Sequence, residues 1–276
     1  MPPFAYLFVF FAIPFALMAV VSFAKAGEWG GIAPLLQKTE TGTALNLSWE
    51  NYVRLFESSL YLHIFLRSFL YALLCTFFCA LLAYPLAIWV AKRKKTKNLA
   101  LFLVILPFWS NFLIRIYAWM TMLGPESFFM RGLQALSGMP LSLLFTPTAV
   151  VLGLVYVNLP FMVLPLYANL EKHDPLLLDA ARDLGASSWK GFWRITFPLS
   201  LPGLFAGATF VFIPSLGSFA VPELLGGTRT TMIGNFISQQ FLASQDWPFG
   251  SALSVVLTFF SVVVMLAAQT LFRVKR

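Results

Sequence analysis

The chain has 276 residues, 59% of them hydrophobic and 11% charged, with 30 Phe and 8 Trp, a composition that excludes an ordinary soluble domain and defines an integral membrane protein. The net charge of +8 does not point to nucleic acid, because the basic residues flank apolar runs, where the positive-inside rule places them. Cys75 and Cys79 lie on one face of an apolar run with no His or carboxylate beside them, which favours small packing residues over a metal site.

Residues 4–24 carry no charge and are long enough to cross a hydrocarbon core of about 30 Å at about 1.5 Å per residue. Ala24-Lys25-Ala26 has the look of a signal-peptide cleavage site. No Lys or Arg precedes the run, however, and it is too long for an h-region, so it is expected to stay as an anchor. Residues 25–62 are mixed and polar. There, Ser48 and Asn51 before an amphipathic pattern predict a short capped helix along the interface. A second span is expected over 63–91, interrupted by Pro85 and stopped by the basic run from Lys92 to Lys97. Further spans are expected over 99–123, 147–168, 202–221 and 249–271, before the tail Arg273 to Arg276. Residues 232–245 alternate apolar and polar in the manner of an amphipathic outer helix.

The fold class expected is therefore an all-α membrane protein, one transmembrane domain over 1–276 with six transmembrane helices and both termini cytoplasmic. Charge counting supports this orientation. The three segments placed inside hold 5, 4 and 3 Lys and Arg, against 3, 1 and 1 in the outer loops, with Arg67 and Arg115 left within spans.

The loop over 169–201, between the fourth and fifth spans, is a polar island with its own helical grammar. Asp174-Pro175 supplies a cap and a first-position proline, strong helix formers run to Leu184, and Gly185 can end the helix. A second helix is expected from Ala186 to Ile195, closed by Pro198 and Pro202. On pattern alone this segment could equally be an interfacial loop resting Trp189, Phe192 and Trp193 on lipid.

The string Asp179-Ala180-Ala181-Arg182-Asp183-Leu184-Gly185, then nine residues, then Ile195-Thr196-Phe197-Pro198, resembles the EAA loop of binding-protein-dependent (type I) ABC-transporter importer permeases, with Asp in place of the first Glu. Residues 106–117, 145–149, 161–167, 222–227 and 246–250 are similar to the spermidine/putrescine branch of that family. The resemblance implies a coupling helix that docks on an ATPase through Asp179, Ala180, Ala181, Asp183, Gly185 and Trp189. It also implies a second, different permease subunit, a dimer of ATP-binding subunits, an extracytoplasmic substrate-binding protein, a bacterial inner-membrane location and a polyamine cargo. The chain has no Gly-x-x-x-x-Gly-Lys-Ser/Thr loop, so ATP and Mg are expected on the partner ATPase, with no cofactor, metal or catalytic residue on this chain.

A polycation is held by carboxylates and aromatic faces. Candidate path residues are accordingly Tyr117, Trp119, Glu223, Asp246 and Trp247, with Asn158 and Ser215 as polar wall groups. Each has a plainer role, the aromatics as interface anchors and Asn158 as a helix-to-helix hydrogen-bonding group. Asn111 and Arg115 share a face with Trp119. An exposed Arg would repel a polyamine, so Asn111 and Arg115 are read as structural, with Arg115 expected to pair with an acid such as Glu223. An ion-coupled secondary transporter is disfavoured because no Asp or Glu lies near the middle of a span. An intramembrane enzyme is disfavoured because neither His63 nor His173 has a metal or nucleophile partner in the sequence.

Overall fold

The computed structural model describes residues 6, 8–34, 36–39, 42–93, 95–137, 142–174 and 176–273. The start of the expected first span, Lys94, Pro175 and the tail residues 274–276 lie outside the described residues. In chain order the helices are α1 (Phe8–Val21), α2 (Glu50–Glu57), α3 (Ser59–Ala91), α4 (Lys97–Trp109), α5 (Phe112–Leu123), α6 (Phe128–Ser137), α7 (Pro147–Leu170), α8 (Leu176–Asp183), α9 (Ser188–Leu216), α10 (Ala220–Gly226), α11 (Ile233–Leu242) and α12 (Trp247–Arg273). The chain is mostly helical, as expected, with one short antiparallel pair, β1 (Leu36–Thr39) and β2 (Gly42–Leu45), in register from Leu36 opposite Leu45 to Thr39 opposite Gly42.

Among the described residues, α3, α7, α9 and α12 are long and apolar enough to cross a membrane, and α1 is a shorter apolar helix. The expected continuous span over 99–123 is instead broken, α4 and the helical stretch that begins at Phe112 meeting at 90°. The local chemistry explains the break. Leu106–Trp109 tightens into a 3-10 turn around Pro107, Ser110 and Asn111 are extended, and Asn111 Oδ1 accepts from the backbone N–H of Leu113 at 2.8 Å and of Ile114 at 3.4 Å. An N-cap of this kind starts a new helix rather than continuing an old one.

Two proline expectations are also corrected. Pro85 does not interrupt α3, and Pro198 and Pro202 do not close the helix after the polar loop, since α9 runs unbroken from Ser188 to Leu216. A π-turn over Phe192–Thr196 precedes Pro198, with Phe197 N–H reaching back to Phe192 O. The fifth span therefore begins inside the polar loop and ends at Leu216, short of the expected 221, where Gly217 precedes the separate helix α10.

The chain forms two compact units. One comprises residues 1–68 and 231–267. Its core is Ile64, Ile233, Phe249 and Leu253, flanked by Tyr61, Phe65 and Phe236. Ser68 Oγ in α3 accepts from the N–H of Ile233 at 2.7 Å and so satisfies the first turn of α11 from a neighbouring helix. The short helix expected after Ser48 forms as α2, but Ser48 and Asn51 play different parts from a shared cap. Ser48 Oγ accepts from Glu50 N–H, but Asn51 Nδ2 donates at 2.9 Å to the carbonyls of Ser22 and Ala24, tying α2 to the end of α1.

The other unit comprises residues 69–230 and 268–276, with α7 packed along α9. At their crossing, a Cβ on Gly203 would stand 2.5 Å from Asn169 Cβ, and one on Gly207 would stand 3.1 Å from Met162 O. This small-xxx-small spacing lets two backbones approach where lipid offers no hydrophobic drive for helix association.

Candidate functional site

The polar loop is built on the end of α7. Glu171 continues from that helix and ion-pairs with Lys97 at 2.6 Å. The Lys97 ammonium, and then the Tyr167 hydroxyl, hold the Glu171 carboxyl below the usual carboxylate range. Asp174 Oδ1 accepts from Leu176 N–H at 3.0 Å and starts α8. Gly185 ends it at φ 81°, its N–H bonded to Arg182 O and that of Ala186 to Ala181 O, the left-handed closure a glycine makes without strain. Ser187 Oγ accepts from Lys190 N–H and begins α9.

The loop is fixed from beneath by an aromatic cluster. Trp189, Phe192, Trp193 and Phe197 contact one another, and Tyr84 of α3 meets both Phe192 and Phe197. The Tyr84 hydroxyl also hydrogen-bonds to Ser200 Oγ. Sequence reading missed Tyr84. Its signal was a phenol hydroxyl in an apolar run, since a Tyr O–H that leaves water needs a partner.

Of the six residues assigned to coupling, Asp179, Ala180, Asp183, Gly185 and Trp189 are exposed. Ala181 is half-buried and lines a cavity of about 110 Å³ with Ile88, Leu178 and Gly191. Asp179 is spent locally on Arg182 at 3.3 Å. The loop also presents Leu184 at 89% and Trp189 at 70% exposure, an apolar surface on a helix pair whose backbone ends are satisfied.

The path residues are less concerted. Asn158 is buried and bonds to Leu154 O in its own helix, and Ser215 Oγ donates to Cys75 Sγ at 3.4 Å within the α3–α9 packing. Trp119 packs on Tyr156 at 5.4 Å, while Tyr117, Glu223 and Trp247 are exposed. Asp246 is already engaged, with Arg54 at 2.8 Å and as N-terminal acceptor for Phe249 N–H. Asn111 is a cap rather than a member of the Arg115 helix face. Arg115 is 9% exposed and faces the rings of Phe108 at 5.1 Å and Phe112 at 5.9 Å. Its Nε and Nη1 have no hydrogen-bond partner, so the expected bridge to Glu223 is replaced by cation–π contacts.

Long apolar helices define the class, a polytopic membrane protein that carries an exposed helical loop between two of them. Residues 83–274 match the model of the binding-protein-dependent transport system inner membrane component, and the chain belongs to that family as an inner-membrane permease subunit. It is 47% identical over 212 residues to the spermidine/putrescine transport system permease protein PotB of Escherichia coli (strain K12), covering 76% of this chain and 77% of that protein. It is 41% identical over 258 residues to PotB of Haemophilus influenzae, covering 92% and 86% respectively. The crystal structure of a bacterial alginate ABC transporter, in complex with a periplasmic protein bound to an alginate pentasaccharide, superposes with a TM-score of 0.75. At 16% identity over 97% of this chain and 90% of that one, this is a likeness of fold.

Proposed function

We propose that the chain carries spermidine or putrescine from an extracytoplasmic binding protein to the cytoplasm, as one of two different permease subunits driven by a pair of ATP-binding subunits. Identity of 47% and 41% to permeases of spermidine/putrescine systems supports the cargo. The observation that carries the mechanism is the α8–α9 projection, with exposed Leu184 and Trp189 beside the small residues Ala180 and Ala181.

In this reading the bent α4–α5 pair counts as one span and α1 as another, giving six spans with both termini in the cytoplasm, and the α8–α9 projection faces the ATPase. ATP and Mg bind the ATPase pair. Its closure pushes the projection, and because α9 runs without a break from the loop into the membrane, the push reaches the span directly. Alternation between inward-facing and outward-facing cavities follows as a rigid-body change. Tyr117, Trp119, Asn158, Ser215, Glu223, Asp246 and Trp247 remain the proposed path residues. Of these, Tyr117, Glu223 and Trp247 are exposed, and Asp246 is paired with Arg54.

The test is uptake of labelled spermidine and putrescine into liposomes holding both permeases and the ATPase, with the cognate binding protein outside and ATP inside. ATP-dependent polyamine uptake is expected. Uptake of an anionic solute in its place would overturn the cargo and leave the importer intact, and uptake indifferent to ATP would overturn the importer.

A further inference from the structure

A groove of about 490 Å³ runs between the end of α3 and the start of α4, lined by Leu86, Trp89, Arg93, Leu99, Leu103 and Val104 among others. Its polar groups, Arg93 and Thr96, sit at the connection between the helices, and the leucines and Val104 lie deeper along both. The Arg93 guanidinium lies 5.4 Å above the Trp89 ring, which orients it at the mouth. Lys92 and Lys95 are exposed beside it, and neither they nor Arg93 forms an ion pair among the described residues, whereas Lys97 is taken by Glu171.

A groove that is cationic at one end and apolar along the rest has the shape of an amphiphile with an anionic head. We propose that it binds an anionic phospholipid, with the headgroup phosphate at Arg93 and an acyl chain along Leu86, Leu99, Leu103 and Val104. Arg is suited to this because its planar donors match phosphate oxygens, and basic pockets between transmembrane helices take such headgroups. A protein helix in the same groove would have to bring its own acid to Arg93 or leave a buried charge unpaired, whereas a phosphate supplies the counter-charge itself. Arg93 also borders the cavity of about 550 Å³ beneath the α8 loop, beside Lys97, Glu171, Leu177 and Leu178. A bound headgroup therefore stands against the base of the projection.

The assembled transporter, purified in neutral detergent, should unfold at a higher temperature in micelles doped with phosphatidylglycerol than in micelles doped with phosphatidylcholine. Arg93→Gln should lose most of that increment by removing the charge, and Leu103→Trp should lose it by filling the groove. Lys95→Gln, a charge outside the groove lining, should keep it. Each increment is read against the same variant in phosphatidylcholine, so a general loss of stability cancels. Four results overturn the proposal: equal stabilisation by both lipids, equal loss in Lys95→Gln and Arg93→Gln, an increment reproduced by inorganic phosphate alone, or an increment kept in both groove variants, which marks a groove covered by protein.

Discussion

Arg115 shows how a single residue can be read correctly in kind and wrongly in partner. An arginine inside an apolar run must face protein, and it does, at 9% exposure. Its neighbours are Phe108 and Phe112, because the break at Ser110 brings the 3-10 turn beside the next helix, a bend that hydropathy does not register. With Nε and Nη1 unpartnered, desolvation offsets much of the cation–π attraction of roughly 0.5–2 kcal/mol. Arg115→Met keeps the volume and removes the charge, so it should match or exceed the wild type in thermal stability. Arg115→Ala should lose about 2–5 kcal/mol through the cavity it leaves. Equal losses in the two variants, measured by unfolding in detergent, would sink this account. Glu171 sets a pH test. Its folded carboxyl is depressed by Lys97, so the pair's contribution is present above the ordinary carboxylate range and fades as pH falls through the lowered folded value. The difference in midpoint between wild type and Glu171→Gln should therefore shrink on acidification, and a difference that widens would reverse the sign.

At the scale of elements, the runs that form α3, α7 and α12 were legible because about 20 apolar residues in a row leave the backbone no alternative to a helix in lipid. Breaks and continuities were not, since proline interrupts a helix only where nothing re-satisfies the freed carbonyl. A π-turn at Phe192–Thr196 carries the helix up to Pro198, and no local pattern announces it. The α7–α9 crossing was likewise legible only afterwards, in the spacing of Gly203 and Gly207. Gly203→Val should push Asn169 and the Pro165 carbonyl away from α9 and destabilise the permease by about 1–3 kcal/mol. Gly132→Ala, in α6 with no atom within 4 Å of the added methyl, should be neutral or stabilising by up to about 1 kcal/mol. If Gly203→Val unfolded no earlier than Gly132→Ala, close approach at this crossing would not be what holds the helices together.

For the whole molecule, the helical loop over 169–201 was the most legible part, because charge, the Asp174 cap and the Gly185 stop all fall in one segment between apolar runs. The path was the least legible, since a residue type that can hold an ammonium ion can equally bond to its own helix, as Asn158 does, or to another loop, as Asp246 does. Leu184 belongs to the exposed surface but not to the aromatic cluster that fixes the loop, and that separation makes the coupling idea testable. Leu184 and Trp189 project outward, so Leu184→Asp should leave the unfolding temperature of the isolated permease unchanged while lowering ATPase stimulation by the loaded binding protein at least tenfold, a loss of about 1.4 kcal/mol or more in docking. Tyr84→Phe acts from beneath. It removes one hydrogen bond from Ser200, whose Oγ still donates to Phe197 O at 2.8 Å, and should lower stability by about 0.5–1.5 kcal/mol, with a smaller effect on docking because the exposed surface is intact. A direct contact at the tip predicts this split, and a loop that served only as a membrane-surface anchor does not: there, Leu184→Asp would alter membrane partition and leave stimulated hydrolysis untouched.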